Sequence, residues 1–258
     1  METYLIIGSI GIFTGFISGL LGIGGGIVMA PLLLFIPQLF GLDPYTMRIV
    51  AGLTIVMGLL GCLSAGLTHR RFAFVSTRLS VYMGITIFIS AFVGGAATRY
   101  VPNEALLFIF AGMAFTAAIL MLAPIKHDME NPEAAGLEFH KSRAVTAATG
   151  VGLLGGLVGQ GGSFILIPLM TNYVKIPTRI AIGSNLAIVF LSSLAAFIGK
   201  VFTGQIEWFL SIPILVTVLP AAALGGHVSR RVPVNWLRKI LALLIGVAAV
   251  RMWYSLVL

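Results

Sequence analysis

Apolar segments as long as whole helices alternate with polar segments along this chain. Long apolar runs follow one another from the first residues to the last, and short polar stretches separate them. Runs of about 20 apolar residues are typical of membrane-crossing helices, whereas barrel strands alternate residue by residue over about ten positions. The runs predict helices at about 4–22, 27–40, 48–67, 79–99, 103–123, 144–159, 164–174, 180–199, 208–229 and 234–257.

This series of helices occurs twice. The stretch GLLGIGGGIVMAPLL, which starts at Gly19, returns as GLVGQGGSFILIPLM from Gly156. Further along, GGAATRYVPNEAL from Gly94 returns as GGHVSRRVPVNWL from Gly225. Because the matches keep the same order, we infer an internal duplication. The chain is therefore predicted to hold two membrane repeats, residues 1–123 and 144–258, joined by a polar linker at 124–143.

A glycine cluster interrupts the first apolar segment of each repeat, at Gly24–Gly26 and at Gly161–Gly162. Each glycine destabilises a helix by about 1 kcal/mol relative to alanine, so these clusters predict helix breaks. Inside a bilayer, a break is tolerated only where protein or a water-filled cavity satisfies the backbone. Either the broken pair crosses the membrane once as a kinked helix, or it turns back as a hairpin.

The distribution of lysine and arginine favours the hairpin. Kinked helices would divide the 16 basic residues eight to eight between the two sides, whereas hairpins divide them twelve to four. Cytoplasmic loops normally carry the excess of basic residues. We therefore predict an all-α polytopic membrane protein of two inverted-topology repeats, each a glycine-broken helical hairpin plus three transmembrane helices. Both termini are predicted outside and the linker in the cytoplasm.

Composition agrees with an integral membrane protein. Hydrophobic residues make up 59% of the chain and charged residues only 9%, against about 25% in soluble domains. The net charge is +8, and the basic residues lie in short loops between apolar runs. We therefore interpret them as residues that set the orientation in the membrane rather than as a nucleic-acid binding surface. The first residues lack a basic segment and a cleavage site, which predicts a retained helix rather than a signal peptide. The single Cys62 excludes an intramolecular disulfide.

The glycine clusters are the candidate substrate site. Two oppositely oriented hairpins would bring their tips together near the midplane, where broken helices bind substrate in secondary transporters. Helix N-termini bind anions, and glycine lets a ligand approach the backbone. The predicted substrate-binding residues of the tips are Gly24, Gly25, Gly26, Gln160, Gly161, Gly162 and Ser163. Small residues at a spacing of four predict helix packing instead: Gly11, Gly15, Gly19, Ala148, Gly152 and Gly156.

Other polar residues occur at equivalent places in the two repeats. Arg48 and Arg179 begin their helices and suit an oxyanion, although a snorkelling interfacial anchor is the alternative. Thr54 and the pair Ser184–Asn185 lie deeper, where they are predicted to line a cavity and bind substrate. His69 and Lys200 lie near helix ends, and we expect them at the membrane interface.

The duplicated GxxGxGG motif followed by proline resembles the sulfite exporter TauE/SafE family of bacterial membrane transporters. The resemblance covers nearly the whole chain, and GFISGLLGIGGGIVMAPLL is its most specific part. The second copy departs from the first, with Gln160 and Ser163 in place of Ile23 and Gly26. The resemblance implies transport of sulfite or an organosulfonate such as sulfoacetate.

The function predicted from the residues is secondary transport of a small anion across the lipid bilayer, without a cofactor or metal. An anion channel is an alternative that sequence cannot separate from a carrier. An enzyme is disfavoured because the histidines and carboxylates form no cluster. The carboxylates outside the linker lie at segment ends, so a proton relay lacks a residue, and a sodium site would need carbonyls and hydroxyls. A homodimer is left open.

Overall fold

The structure, a computed structural model, describes residues 2–21, 23–69, 75–122, 137–159, 162–229 and 232–257. In these ranges the chain is helical, which confirms the predicted all-α class. The helices are α1 (Glu2–Leu21), α2 (Gly26–Leu39), α3 (Met47–His69), α4 (Thr77–Ala97), α5 (Asn103–Leu122), α6 (Lys141–Leu157), α7 (Ser163–Leu169), α8 (Thr178–Phe202), α9 (Trp208–Ser229) and α10 (Val234–Val257). A 3₁₀ turn, Thr98–Tyr100, follows α4, and a π-helical turn, Met170–Val174, follows α7.

The predicted helices agree with these bounds to within about one helical turn. Six segments of the described ranges are long and apolar enough to cross a membrane: Glu2–Leu21, Met47–Ser64, Thr77–Tyr100, Asn103–Leu120, Ile180–Phe202 and Trp208–Ser229. The second arms of the two broken pairs are shorter, Gly26–Leu39 and Ser163–Val174. Most of the predicted linker, residues 124–136, lies outside the described residues, and α6 already begins at Lys141.

The chain reverses direction at both glycine clusters. A Cβ placed on Gly25 would lie 2.8 Å from the carbonyl oxygen of Thr14, eleven residues earlier. A Cβ on Gly162 would likewise lie 2.9 Å from the carbonyl oxygen of Val151, again eleven residues earlier. A continuous helix would separate such residues by about 16 Å. Both broken pairs are therefore hairpins, α1–α2 and α6–α7.

Small residues allow helices from different halves of the chain to approach closely. A Cβ on Gly15 of α1 would lie 3.1 Å from the backbone of Val218 in α9, and one on Gly156 of α6 would lie 2.5 Å from the carbonyl oxygen of Ala91 in α4. The predicted packing role of this glycine series is confirmed. Because the α1–α9 and α4–α6 pairs each join one half of the chain to the other, the two halves form one interleaved core.

The directions of the packed helices follow from their paired residues. Helices α4 and α8 run parallel, because Ser76 at the start of α4 meets Ser184 early in α8, and Thr98 meets Lys200 at the other end. Helices α3 and α8 run antiparallel, because Gly52 faces Gln205 just beyond α8 whereas Gly58 faces Ser193 within it. Helices α4 and α8 thus run in one direction and α3 runs in the opposite direction.

Candidate functional site

The first hairpin tip contains two consecutive glycines in the left-handed region. Gly24 has φ +68° and Gly25 has φ +67°, values that residues with a side chain rarely adopt. The carbonyl oxygen of Gly25 accepts the first hydrogen bonds of α2, from the N–H groups of Val28 and Met29 at 3.1 Å. Gly26 is the first residue of α2 and is buried. Glycine is therefore needed here for the backbone conformation itself.

The second tip repeats this geometry. Gly162 has φ +70°, and its carbonyl oxygen accepts hydrogen bonds from the N–H groups of Ile165 and Leu166 in α7. Ser163 is the first residue of α7 and is fully buried. Of the predicted site residues, Gln160 and Gly161 lie outside the described residues. The described part of this tip matches the first in how its second arm begins.

The two tips meet inside the protein. A Cβ on Gly24 would lie 3.5 Å from both Oγ and Cβ of Ser163, which belongs to the other half of the chain. The same point lies 3.3 Å from Sγ of Cys62 in α3. The structure thus brings together Gly24, Gly25, Gly26, Gly162 and Ser163, as the hairpin interpretation expects.

Buried hydroxyl groups surround the meeting point. Ser163, Ser18 in α1 and Ser193 in α8 are each fully buried, and no atom of the described residues forms a hydrogen bond with their Oγ. A buried hydroxyl without a partner costs about 1 to 3 kcal/mol, and such groups are uncommon away from functional sites. The cluster therefore has the character of a polar binding site within an apolar core.

Sequence reasoning missed Ser18 and Ser193 and considered Cys62 only for disulfides. A usable signal was present, because the serine pair Ser192–Ser193 lies in the middle of the apolar segment of α8. The repeat places this pair opposite Gly61 and Cys62 of α3, so small or polar residues recur at both positions. Two adjacent hydroxyls in a membrane-spanning helix need partners, which points to a packed polar centre.

The polar residues predicted to lie deeper, Thr54, Ser184 and Asn185, do not form one continuous surface. The hydroxyl of Thr54 lies 2.9 Å from the carbonyl oxygen of Gly159 in the second hairpin and 2.8 Å from that of Val50 in its own helix. Ser184 accepts a hydrogen bond of 3.1 Å from the N–H of Ser76, at the start of α4. Asn185, the repeat counterpart of Thr54, is fully buried. Thr54 therefore supports a tip, and Ser184 lies at a helix junction.

Of the predicted arginines, Arg48 lies away from the tips. Arg48 is exposed, and its guanidinium donates a hydrogen bond of 3.2 Å to the carbonyl oxygen of Val101. Ten residues of α3 separate it from Gly58, which corresponds to about 15 Å along the helix. The side chain of Arg179 lies outside the described part of the chain. The position of Arg48 matches the interfacial anchor that we considered as the alternative.

Lys200 lies where we did not expect it. The sequence predicted a side chain at the interface, but Lys200 is fully buried, and its Nζ donates a hydrogen bond of 2.8 Å to Oγ1 of Thr98. The hydroxyl of Thr98 lies 2.9 Å from the carbonyl oxygen of Leu157, at the end of α6. The interfacial prediction is wrong because the 3₁₀ turn after α4 packs against the last turn of α8, where its Thr98 binds the ammonium group. The ammonium group is thus one hydroxyl away from the second hairpin.

A metal centre built from side chains is not found in the described ranges, where no three His, Cys, Asp or Glu residues cluster. Among the described residues, the polar groups at the tips are hydroxyls, a thiol and the backbone. Neutral donors of this kind suit hydrogen bonding to an oxyanion, and carbonyl oxygens suit a hard cation. The described groups at the tips can therefore donate and accept hydrogen bonds.

Comparison with known proteins agrees with this architecture. The family model described as sulfite exporter TauE/SafE matches residues 7–252. The probable membrane transporter protein YunE of Bacillus subtilis is 22% identical over 95% of this chain and 96% of its own length. Probable membrane transporter proteins of Methanocaldococcus jannaschii and Xylella fastidiosa are each 26% identical. They align over 92% and 97% of this chain and over 91% and 96% of their own lengths.

No solved structure matches the chain significantly. The family match nevertheless spans both halves of the chain and both hairpins. The aligned relatives, from bacteria and an archaeon, are described as membrane transporters and cover the chain almost from end to end. The chain belongs to the sulfite exporter TauE/SafE family of membrane transporters.

Proposed function

We propose that the protein is a secondary transporter of small anions, with sulfite or an organosulfonate such as sulfoacetate as its substrate. The observation that carries this proposal is the contact between Gly24 and Ser163, where two broken helices from opposite halves of the chain meet beside buried hydroxyls. The family match supports the choice of sulfur oxyanions, because its model is described by sulfite export.

We place the anion at the N-terminal ends of α2 and α7, the second arms of the two hairpins. The first turn of a helix leaves N–H groups without an intrahelical partner, and these carry partial positive charge. The hydroxyl of Ser163 is fully buried beside them and adds a donor. Hydrogen bonds to an anion are about twice as strong as neutral ones, so a few donors can hold a sulfonate without an arginine. A site of neutral donors also lets the anion leave.

The proposed transport cycle rests on inverted repeats. Parallel α4 and α8 and antiparallel α3 and α8 are the directions that two inverted repeats require. If the glycine pairs were single kinked crossings, both relations would be reversed. In an inverted arrangement, one hairpin enters the membrane from each side, so access can alternate around a fixed central site. We place both termini outside the cytoplasm, in a bacterial inner membrane.

The test is binding and transport by the purified protein. We would measure Tm in detergent with sulfite, sulfate, thiosulfate, sulfoacetate, taurine, acetate and phosphate, and then uptake of the stabilising anion into proteoliposomes. A ligand at a hundred times its Kd stabilises by about 2.7 kcal/mol, which a melting curve resolves. We expect one sulfur anion to raise Tm selectively and Ser163→Ala to weaken that effect about tenfold or more.

The matched control is Ser80→Ala, which removes another buried hydroxyl without a partner, from α4 rather than from the tips. It should bind the anion as the wild type does. If Ser163→Ala and Ser80→Ala bind equally well, or if no sulfur anion raises Tm, the proposed site is wrong. Saturable uptake with counterflow separates a carrier from the alternative, an anion channel.

A further inference from the structure

The carbonyl group of Gly24 lies beside α3. Its oxygen lies 3.9 Å from the position that a Cβ would take on Gly58 and 3.8 Å from the corresponding position on Gly61. Residues three apart share one face of a helix, so both glycines belong to the surface that faces this oxygen. Because neither glycine has a side chain, the backbone of α3 can approach the carbonyl group closely.

Two serine hydroxyls from different helices lie against the same face of α3. Oγ of Ser18 in α1 lies 2.6 Å from the Cβ position of Gly61, and Oγ of Ser193 in α8 lies 3.2 Å from that of Gly58. Both serines are fully buried, and neither Oγ has a hydrogen-bond partner among the described residues. Three oxygen atoms, from α1, α8 and the hairpin tip, therefore converge on one face of α3.

The sign of the charge that fits here is positive. A carbonyl oxygen repels an anion and coordinates a cation, and serine hydroxyls present lone pairs to a cation equally well. The tip therefore offers a hydrogen-bond donor at Ser163 and an acceptor at the Gly24 carbonyl group, near Gly58 and Gly61.

The absence of carboxylates near these three oxygen atoms, among the described residues, indicates a cation of low charge. In the described ranges the carboxylates are all at helix ends or in loops, at Glu2, Asp43, Glu104, Glu138 and Glu207. Calcium and magnesium sites normally include carboxylates, whereas neutral carbonyl and hydroxyl oxygens suffice for a monovalent ion. Unwound backbone at the C-terminal end of a broken helix is a setting in which Na⁺ binds in other transporter folds.

We infer that the Gly24 carbonyl oxygen, Ser18 Oγ and Ser193 Oγ form a binding site for a monovalent cation, Na⁺, beside the substrate site. The site rests on this geometry alone, and its role in coupling rests on the proposed anion transport. A cation and an anion bound beside the same glycine attract each other in a buried setting. By linkage, each then raises the affinity for the other by the same factor.

The experiment measures the Tm of the purified full-length protein in NaCl, KCl and choline chloride, at constant ionic strength and without any sulfur anion. We expect Tm to rise saturably by a few degrees with Na⁺ relative to choline. Ser18→Ala and Ser193→Ala should each raise the Na⁺ concentration needed for half of the shift by about tenfold or more. Ser80→Ala, outside the cluster, should leave the Na⁺ response unchanged.

A second variant blocks the site without removing an oxygen. Gly58→Ala places a methyl group 3.2 Å from Ser193 Oγ, while alanine favours the helix more than glycine. Its matched control is Gly112→Ala in α5, where the added methyl meets no other atom of the described chain within 4 Å. Gly58→Ala should lose the Na⁺ response and still fold, whereas Gly112→Ala should keep the response.

The outcomes separate this inference from the proposed function. Equal Tm in all three salts, or an unchanged Na⁺ response in Ser18→Ala and Gly58→Ala, would overturn the cation site and leave water as its occupant. If sulfur anions still raise Tm in that case, the anion site stands by itself. If Na⁺ stabilises but no anion does, the cation site stands and the proposed substrate class fails.

Discussion

At the scale of single residues, the left-handed glycines fall into two groups. Gly25 and Gly162 are enclosed, because a Cβ on either would meet backbone atoms of the preceding helix. Gly41 and Gly204 have the same left-handed backbone, at φ +75° and +67°, but a Cβ on either would meet no other described atom within 4 Å. The loop glycines satisfy only a local turn, whereas the tip glycines satisfy a turn and a close approach together.

This difference predicts unequal costs for the same substitution. Gly41→Ala should destabilise the protein by about 1 kcal/mol, the strain of a left-handed alanine. Gly25→Ala should cost about 3 kcal/mol or more, because its Cβ would also overlap Cε of Met57 and approach the Thr14 carbonyl oxygen. Thermal unfolding in one detergent measures both. Equal Tm values for the two variants would show that the first tip is not tightly enclosed.

At the scale of elements, the ends of α4, α6 and α8 are joined around one buried ammonium group. Lys200 donates to Thr98, whose hydroxyl also reaches the carbonyl oxygens of Leu157 and, at 3.1 Å, Gly94. Burying a cation with one neutral partner is costly, whereas removing that partner from a buried charge costs still more. The threonine therefore matters more to this junction than the lysine does.

We expect substitutions of Thr98 and Lys200 to have non-additive effects on the free energy of unfolding. Thr98→Val keeps the side-chain shape but leaves the ammonium group without its hydroxyl partner, at a cost of about 3 kcal/mol. Lys200→Met should be neutral or stabilising, and in that background Thr98→Val should cost only about 1 kcal/mol. Unfolding free energies of the four proteins give the interaction energy. Additive effects would mean that Lys200 and Thr98 are not coupled.

The elements themselves were predictable, whereas several of their contacts were not. Apolar runs and glycine clusters specified the helices and the two breaks, because periodicity and helix propensity are local properties of the chain. Ser163 was anticipated because the tips repeat. The burial of Lys200 and the convergence of Ser18 and Ser193 were not, since each depends on which helix of the other half packs alongside.

At the scale of the molecule, the two halves are not separate bodies. Helix α1 packs along α9, and α4 packs along both α6 and α8, so the main contacts of each hairpin's first arm are made with the other half. The hairpin tips meet within this shared core. The two repeats are therefore recognisable in the sequence, but they are not independent folding units.

Orientation in the membrane can be tested at this scale with single cysteines. In a Cys62→Ala background, Glu2→Cys places a thiol at the first residue of α1, and Glu138→Cys places one just before α6. Three net crossings separate these positions if the repeats are inverted, so an impermeant maleimide should label only Glu2→Cys on intact spheroplasts. Both should react after the membrane is opened. Equal labelling of the two variants on intact spheroplasts would favour parallel repeats of four crossings.

The pairing of α1 with α9 also has a consequence for synthesis. The partner of α1 is made about 200 residues later, which takes about 10 to 40 seconds at ordinary rates of translation. During that interval the glycine face of α1, including Gly15, has lipid or another protein as its neighbour. The nascent first half is therefore the form of this protein most exposed to proteases and insertion chaperones, and its survival depends on how promptly the second half follows.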